Sequence, residues 1–224
     1  MKIAIDGPAG SGKSTIARLV AKELNLRYLD TGAMYRALTL QALRANIPLD
    51  NQGKLVALLN STDLEVRFQA QGGDNLLLIN GEDVTDSLRQ PIINENVSLV
   101  SSHQLVREII VSLQKEIAKE GSIVMDGRDI GTVVMPDACW KIFLEASREE
   151  RARRRRLELK EKGHDLSLED LVQQIQRRDF LDSTRESSPL KKAEDAVEID
   201  TTFLTIEEVV ERVLQLVVGG RKHV

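Results

Sequence analysis

The N-terminal segment of the chain constrains its fold more than any other stretch. Residues 2–6 form a largely apolar run, and residues 7–15 follow with the sequence GPAGSGKST. This order matches G-x-x-x-x-G-K-[ST], and apolar residues then recur at helical spacing, at Ile16, Leu19, Val20 and Leu24. A strand, a glycine-rich loop and a helix form the context in which this motif binds a nucleoside triphosphate. We therefore expect a phosphate-binding loop rather than a glycine turn without a ligand.

The residue types of this loop suit phosphate chemistry. Glycines let backbone N–H groups approach phosphate oxygens closely, and the start of the helix adds partial positive charge. Lys13 is predicted to contact the β- and γ-phosphates, and Ser14 to offer its hydroxyl to the Mg²⁺ that accompanies ATP. Thr15 provides a further donor to phosphate. The predicted ATP-binding residues are Gly7, Pro8, Ala9, Gly10, Ser11, Gly12, Lys13, Ser14 and Thr15.

Composition narrows the remaining possibilities. The chain has 224 residues, which suffices for one α/β domain with insertions. Its net charge of −4 and its 3% aromatic content argue against a general nucleic-acid-binding surface. Cys139 is the single cysteine, so an internal disulfide is excluded; we expect it in the core of a protein from a reducing compartment. No apolar run approaches a membrane span, and we expect a cytoplasmic protein.

Strand and helix patterns alternate along most of the chain. Short strands are predicted at 27–30, 122–126, 140–144 and 196–200, with helical periodicity between them. The run at 122–126 is apolar until its final acid, as in a strand buried on both faces of a parallel sheet. The pattern predicts an α/β fold with a parallel-sheet core, helices on both faces and ligands at the carboxyl ends of the strands.

Two regions differ from this alternation of strands and helices: one is predicted to form a small sheet, and the other is predicted to be helical over about 30 residues. Residues 64–68 alternate in polarity, 72–75 carry a turn signal, and the apolar run at 76–79 ends in a second turn signal at 80–81, which predicts a small antiparallel insertion. A long helical region is predicted from Pro91 to Gly121.

The arginines are concentrated in two stretches. Residues 151–156 contain five arginines, and a second cluster spans 177–185. Such runs are usually solvated helix faces, and a nucleic-acid site is another reading. Arginine suits bidentate contacts with phosphate, however, and a basic hairpin that closes over a triphosphate would exclude water. We favour a lid that contacts phosphate.

With these motifs assembled, the chain resembles the bacterial cytidylate kinases of the nucleoside monophosphate kinase superfamily. The resemblance rests on residues 7–15, on LDTGAMYR at 29–36, on the insertion at 64–86, on DGRDIGTVV at 126–134 and on 178–185. It implies transfer of the ATP γ-phosphoryl group to CMP or dCMP, in pyrimidine nucleotide metabolism, by a monomer. It also implies a core formed by 1–36, 96–147 and 167–224, a monophosphate-binding domain at 37–95 and a lid at 148–166.

The resemblance also implies roles for individual residues. Arg36 and Arg128 match the arginines that hold the acceptor phosphate. The pyrimidine pocket corresponds to Thr31, Arg107, Asp129 and Arg185, and the ribose contacts to Ser98, Arg178 and Asp182. The groups around the transferred phosphoryl correspond to Lys13, Arg128, Arg154 and Arg155. Position 31 is Thr where the family also has Ser, so the hydroxyl is kept and only the width of the pocket differs.

Other functions share part of this pattern. A nucleotide-dependent switch would need a guanine-reading segment such as Asn-Lys-x-Asp, which the sequence lacks. Kinases of shikimate, gluconate or another monophosphate share the phosphate-binding loop, and only an assay of acceptors separates them from the leading hypothesis.

Overall fold

A five-stranded parallel sheet forms the centre of the computed structural model, which describes residues 1–69, 75–161, 163 and 165–220. The strands are β1 (Lys2–Asp6), β2 (Arg27–Asp30), β3 (Leu64–Arg67), β4 (Leu76–Ile79), β5 (Glu82–Asp83), β6 (Ile123–Gly127), β7 (Trp140–Glu145) and β8 (Val197–Asp200). The helices are α1 (Lys13–Glu23), α2 (Thr31–Arg44), α3 (Gln52–Asn60), α4 (Pro91–Ser102), α5 (Gln104–Lys119), α6 (Arg148–Glu161), α7 (Leu168–Thr184) and α8 (Ile206–Gly219).

The parallel sheet has the strand order β2-β6-β1-β7-β8, and helices cover both of its faces. Ile3 and Ile5 of β1 pack with α1 and α8, whereas Ala4 faces the core formed with α2 and α5, as the alternation of side chains along a strand requires. This confirms the predicted α/β architecture. In register, Ile5 lies opposite Asp126, and Asp126 lies opposite Asp30. The acidic ends of these strands therefore meet at one edge of the sheet.

A second, antiparallel sheet forms the predicted insertion. It has the order β3-β4-β5, with Leu64 opposite Ile79. Asn80 and Gly81 both have left-handed backbone angles (φ 51° and 83°), which is the conformation that an Asn-Gly hairpin turn requires. Most of the other predicted turn, at 72–74, lies outside the described residues.

Two expectations from the sequence were wrong. The helical region after Pro91 is divided, because His103 is extended (φ −68°, ψ 120°) and separates α4 from α5. Its ring hydrogen-bonds to the carbonyl oxygen of Leu49 at 2.8 Å, a tertiary contact that no glycine or proline announces. Cys139 is exposed rather than in the core.

Two of the four predicted domain boundaries do not coincide with breaks between elements. Helix α2 crosses the boundary after residue 36, and α4 crosses the one after residue 95. The proposed division into core, monophosphate-binding domain and lid stays a prediction. Across the described residues, none of the helices is both long enough and apolar enough to cross a bilayer.

Candidate active site

The phosphate-binding loop joins β1 to α1, and its backbone requires glycine at both ends. Gly7 has φ 151°, and a Cβ there would lie 2.1 Å from the carbonyl oxygen of Leu144. Gly12 precedes α1 in a left-handed conformation (φ 87°). The Nζ of Lys13 donates to the Pro8 carbonyl at 2.6 Å, so the lysine lies over its own loop. Burial, reinforced by the nearby Arg128, lowers the pKa of Lys13 well below its usual value.

A buried carboxylate faces the start of α1. The Ser14 hydroxyl donates to Asp126 Oδ2 at 2.8 Å, and the Tyr28 hydroxyl donates to Asp126 Oδ1 at 2.7 Å. Burial, with the adjacent Asp30, raises the pKa of Asp126 to about 6. Hydroxyl and carboxylate oxygens are suitable Mg²⁺ ligands, and kinase Mg²⁺ sites use one or two carboxylates with phosphates and water. The described residues contain no group of three or more His, Cys, Asp or Glu that would form a complete protein cage.

Asp6, the last residue of β1, holds the turn that follows Asp129, one of the predicted base-pocket residues. Its carboxylate accepts hydrogen bonds from the backbone N–H groups of Ile130 (2.9 Å) and Gly131 (2.7 Å). These residues begin a single π-helical turn, Ile130–Val134, directly after Asp129. Such turns are frequent at functional sites. Asp6 therefore fixes the backbone next to Asp129.

The stability of the protein should depend on pH through Asp6. Burial raises the pKa of this carboxyl to about 7 from an ordinary value near 4, so the folded state binds a proton that the unfolded state has released. The free energy of unfolding should fall as pH rises from about 4 to about 7, by on the order of a few kcal/mol from this group. Asp6→Asn should remove this component, as measured by urea unfolding of both proteins at several pH values. A difference between the two that does not change with pH would contradict the assignment.

A cleft of about 210 Å³ opens beside the phosphate-binding loop. It is lined by Lys13, Ser14 and Arg155, and all nine predicted acceptor-binding residues also line it: Thr31, Arg36, Ser98, Arg107, Arg128, Asp129, Arg178, Asp182 and Arg185. The nine come from five parts of the chain, namely α2, α4, α5, the end of β6 and α7 with the residue after it. Only the tertiary fold brings them together.

Six of the charged side chains that line the cleft form ion pairs with one another. Arg107 contacts Asp129 at 2.5 Å, Arg128 contacts Asp182 at 2.8 Å, and Arg36 forms an ion pair with Asp30. Buried charges need such partners. Seven cationic and four acidic side chains nonetheless line the cleft, so positive charge is in excess. A ligand with several phosphate charges suits this balance.

The cleft has two ends of different character. At the end near the phosphate-binding loop, burial and then the neighbouring Arg128 lower the pKa of Arg178 to about 10. Arg128 and Arg178 both disfavour the charge on Lys13 as well, so three cations are crowded there. At the other end, Arg185 lies 3.9 Å from Asp129, which is already paired with Arg107, and 3.9 Å from Asp182, the ion-pair partner of Arg128. An anionic group would relieve the repulsion at the first end.

Unpaired polar atoms are concentrated in this cleft. Among the described residues, six buried side-chain nitrogen or oxygen atoms have no hydrogen-bond partner, and five belong to residues that line the cleft. Such atoms are rare because each costs free energy when it is left unpaired. The five are on Tyr35, Ser98, Arg107, Arg178 and Arg185. A polar ligand in the cleft would give them partners.

The arginines of α6 differ in what they contact. Arg155 lines the cleft. Arg154 lies outside it, and donates to the Oγ1 (3.0 Å) and the carbonyl oxygen (2.5 Å) of Thr201. Arg151 is buried, donates to the Ala9 carbonyl at 3.0 Å and pairs with Asp179 on α7. The catalytic roles predicted for Arg154 and Arg155 stay predictions, and only Arg155 already faces the cleft.

Sequence reasoning missed four residues that organise the site. Asp6 and Asp126 each stand at or next to the end of an apolar strand, which is a usable signal because ligands bind at the carboxyl ends of parallel strands. Tyr28 and Arg151 gave no comparable signal. One is a polar residue within a short strand, and the other is one arginine among five in a run.

The fold and the loop define the class: the chain is a P-loop protein built on a parallel sheet, with a basic cleft beside the loop. Residues 3–218 match the cytidylate kinase family model. The cytidylate kinase of Geobacillus sp. (strain WCH70) is 54% identical over 217 residues, which cover 97% of this chain and 96% of that protein. The cytidylate kinase of Bacillus cereus (strain B4264) is 52% identical over 219 residues, with coverages of 98% and 96%. The chain belongs to the cytidylate kinase family.

A solved structure resembles the chain in fold alone. It is an uncharacterized protein from Eubacterium ventriosum ATCC 27560, which is 12% identical with a TM-score of 0.51 and coverage of 98% of both chains.

Proposed function

We propose that this protein transfers the γ-phosphoryl group of ATP to CMP or dCMP and releases ADP with CDP or dCDP, in pyrimidine nucleotide metabolism. The observation that carries the proposal is that one cleft combines the P-loop lysine with buried cationic and polar side chains, several of which have atoms without hydrogen-bond partners. Membership of the cytidylate kinase family supports the choice of acceptor.

The reaction asks the protein chiefly for position and charge. An oxygen of the acceptor phosphate attacks the γ-phosphorus in line while the bond to the β-phosphate oxygen breaks, so no covalent enzyme intermediate is needed. Lys13, Arg128 and Arg155 would stabilise the charge on the transferred group. Arg36 and Arg128 would hold the acceptor phosphate, which is already nucleophilic and needs no obligatory general base.

The Ser14 hydroxyl and the Asp126 carboxylate would hold Mg²⁺ at the triphosphate. When bound, Mg²⁺ neutralises charge on the β- and γ-phosphate oxygens. The hydrogen bond from Tyr28 orients the Asp126 carboxylate for this purpose.

The rest of the cleft would recognise the nucleoside. The base would lie against Thr31, Arg107, Asp129 and Arg185, and the ribose against Ser98, Arg178 and Asp182. The Asp129 carboxylate, which pairs with Arg107 and lies near Arg185, offsets part of their charge, and this supports the orientation because the neutral base needs no excess of positive charge.

A coupled assay of ADP release tests the proposed function. CMP, dCMP, UMP, AMP, GMP, shikimate and gluconate are supplied in turn with ATP and Mg²⁺. We expect CMP and dCMP to give the highest kcat/KM. A higher kcat/KM with shikimate, gluconate or a purine nucleotide would overturn the proposal.

Arg155 is expected to act in catalysis more than in binding. Arg155→Ala should lower kcat roughly ten- to a hundredfold while changing the Kd for CMP little, because its charge is needed most as the phosphoryl group dissociates. Arg153, on the same helix, is exposed and pairs with Glu150, so Arg153→Ala is the matched control and should leave kcat unchanged. Steady-state kinetics with CMP titration measures both quantities. Equal kcat values for the two variants would contradict the role.

Arg154 and the lid can be examined together. Arg154→Ala is also expected to affect kcat more than CMP affinity, if closure of the lid brings this side chain to the phosphates.

Hydrogen exchange should show slower exchange of amides 155–161 when ATP and CMP are both bound. Exchange that is unchanged by the ligands would contradict a lid.

The expected partners are small molecules alone. We propose a cytoplasmic monomer that binds neither membranes nor nucleic acid. Light scattering coupled to size-exclusion chromatography tests the first point, and binding to DNA and RNA at several salt concentrations tests the last.

A further inference from the structure

Tyr35 carries a hydroxyl for which the cleft offers no partner. The residue lies on α2, is only 6% exposed and lines the cleft, and its Oη is one of the buried atoms without a hydrogen bond. The other tyrosine of the chain, Tyr28, is equally buried but donates to Asp126 at 2.7 Å. The two residues thus form a natural comparison, since one hydroxyl is satisfied within the protein and the other is not.

The surroundings of Tyr35 place it at the end of the cleft away from the P-loop. Its ring centroid lies 5.3 Å from the Cζ of Arg107, a distance at which a guanidinium is attracted to an aromatic face. The charged groups that act on its hydroxyl are Arg107, Asp129 and Arg185. Lys13, Arg128 and Arg178, which crowd the other end, are not among them.

The hydroxyl is a neutral donor in this environment. Burial raises the pKa of Tyr35 well above its ordinary value, although Arg107 opposes the shift, so the proton stays on the oxygen at neutral pH. Phosphate groups are better served by the arginines nearby. The Tyr35 hydroxyl can donate to a carbonyl oxygen or a ring nitrogen of a base, and its position beside Arg107 favours the base over the phosphates.

We propose that the Tyr35 hydroxyl donates a hydrogen bond to the pyrimidine base of the acceptor nucleotide. The inference rests on the proposed function and assigns a specific contact to Tyr35, which stands in the LDTGAMYR motif but has no role among the predicted base contacts. Tyr35 would contact the base directly through its hydroxyl, while the face of its ring packs against the guanidinium of Arg107.

Thermal unfolding of two variants tests whether the hydroxyl is unpaired before substrate binds. Tyr28→Phe should lower the melting temperature by about 2 to 4 °C, because it deletes a buried hydrogen bond to a carboxylate. Tyr35→Phe should leave the melting temperature unchanged or raise it, since no partner in the protein loses a bond. A fall as large as that of Tyr28→Phe would overturn the inference.

Calorimetric titration of Tyr35→Phe and the wild type with two ligands tests the contact itself. We expect the Kd for CMP to rise about tenfold, which corresponds to one hydrogen bond. Ribose 5-phosphate lacks the base, so its Kd should change less than twofold. Unchanged affinity for CMP, or an equal loss for both ligands, would overturn the assignment to the base.

The wild-type protein is assayed for CMP phosphorylation in the same experiment. A wild type that phosphorylates CMP, while Tyr35→Phe binds it unchanged, overturns this inference alone. A wild type that does not phosphorylate CMP overturns the proposed function instead, and the calorimetric comparison still decides whether Tyr35 contacts the base.

Discussion

Replacing Lys13 with methionine is expected to lower kcat at least a hundredfold without loss of the fold. The Nζ of Lys13 is buried and donates to the Pro8 carbonyl oxygen at 2.6 Å and, more weakly, to the Ser11 hydroxyl at 3.4 Å. Neither partner is an anion, so the charge of Lys13 is available to a triphosphate. This charge is needed most as the γ-phosphoryl group dissociates, and loss of one such contact costs several kcal/mol in the transition state. Methionine keeps most of the volume. It also removes a cation that burial and Arg128 already disfavour, so the melting temperature should not fall.

Lys22 provides the matched control for this experiment. It lies in the last turn of the same helix and is exposed, so Lys22→Met should leave kcat and the melting temperature unchanged. Steady-state kinetics with saturating ATP and CMP measures the effect, and circular dichroism checks the fold. Retention of a tenth of wild-type kcat by Lys13→Met would refute the assigned role.

Asp129 is expected to set the preference for cytosine over uracil. Cytosine carries an exocyclic amine that a carboxylate accepts, whereas uracil presents a carbonyl oxygen that it repels. UMP forfeits a charge-assisted hydrogen bond and leaves a desolvated carboxylate oxygen unpaired. Together these effects are worth roughly 2 to 4 kcal/mol, or about thirty- to a thousandfold in kcat/KM. Arg107 reinforces the choice, because it can donate to N3 of cytosine but not to the N3–H of uracil.

Asp129→Asn is the variant that tests this assignment most sharply. Asp129→Ala would leave Arg107 and Arg185 in a buried site without their shared carboxylate, and could unfold the pocket. The asparagine amide keeps the volume and can accept from the cytosine amine or donate to the uracil carbonyl oxygen. The ratio of kcat/KM for CMP to kcat/KM for UMP should therefore fall to about ten or less. A ratio equal to that of the wild type would show that Asp129 does not read the base. Unchanged KM for ATP serves as the internal control.

The sequence allowed the architecture to be predicted because strand and helix patterns are local, whereas the residues of the cleft could be named only through the resemblance to a known family. A parallel strand that ends in an acid, as β2 does at Asp30, predicts the edge of the sheet at which ligands bind. The break at His103 was missed because it depends on a bond to Leu49, a residue 54 positions away. The individual roles in the arginine run were also beyond sequence reasoning. Arg151 differs from its neighbours only in that α7 supplies Asp179 to it.

The carboxylate of Asp6 links the phosphate-binding loop to the segment that carries Asp129. Asp6 directly precedes the phosphate-binding loop in sequence and holds the two amides that follow Asp129. The ATP-binding loop and the predicted base-reading carboxylate are therefore anchored to the same strand, and cannot shift apart without breaking buried hydrogen bonds. If the cleft closes during turnover, we expect the antiparallel insertion, α6 and α7 to move while the ends of the strands stay in place. The end of β1 and the turn that Asp6 holds would then keep the distance between the ATP-binding loop and the acceptor nucleotide constant.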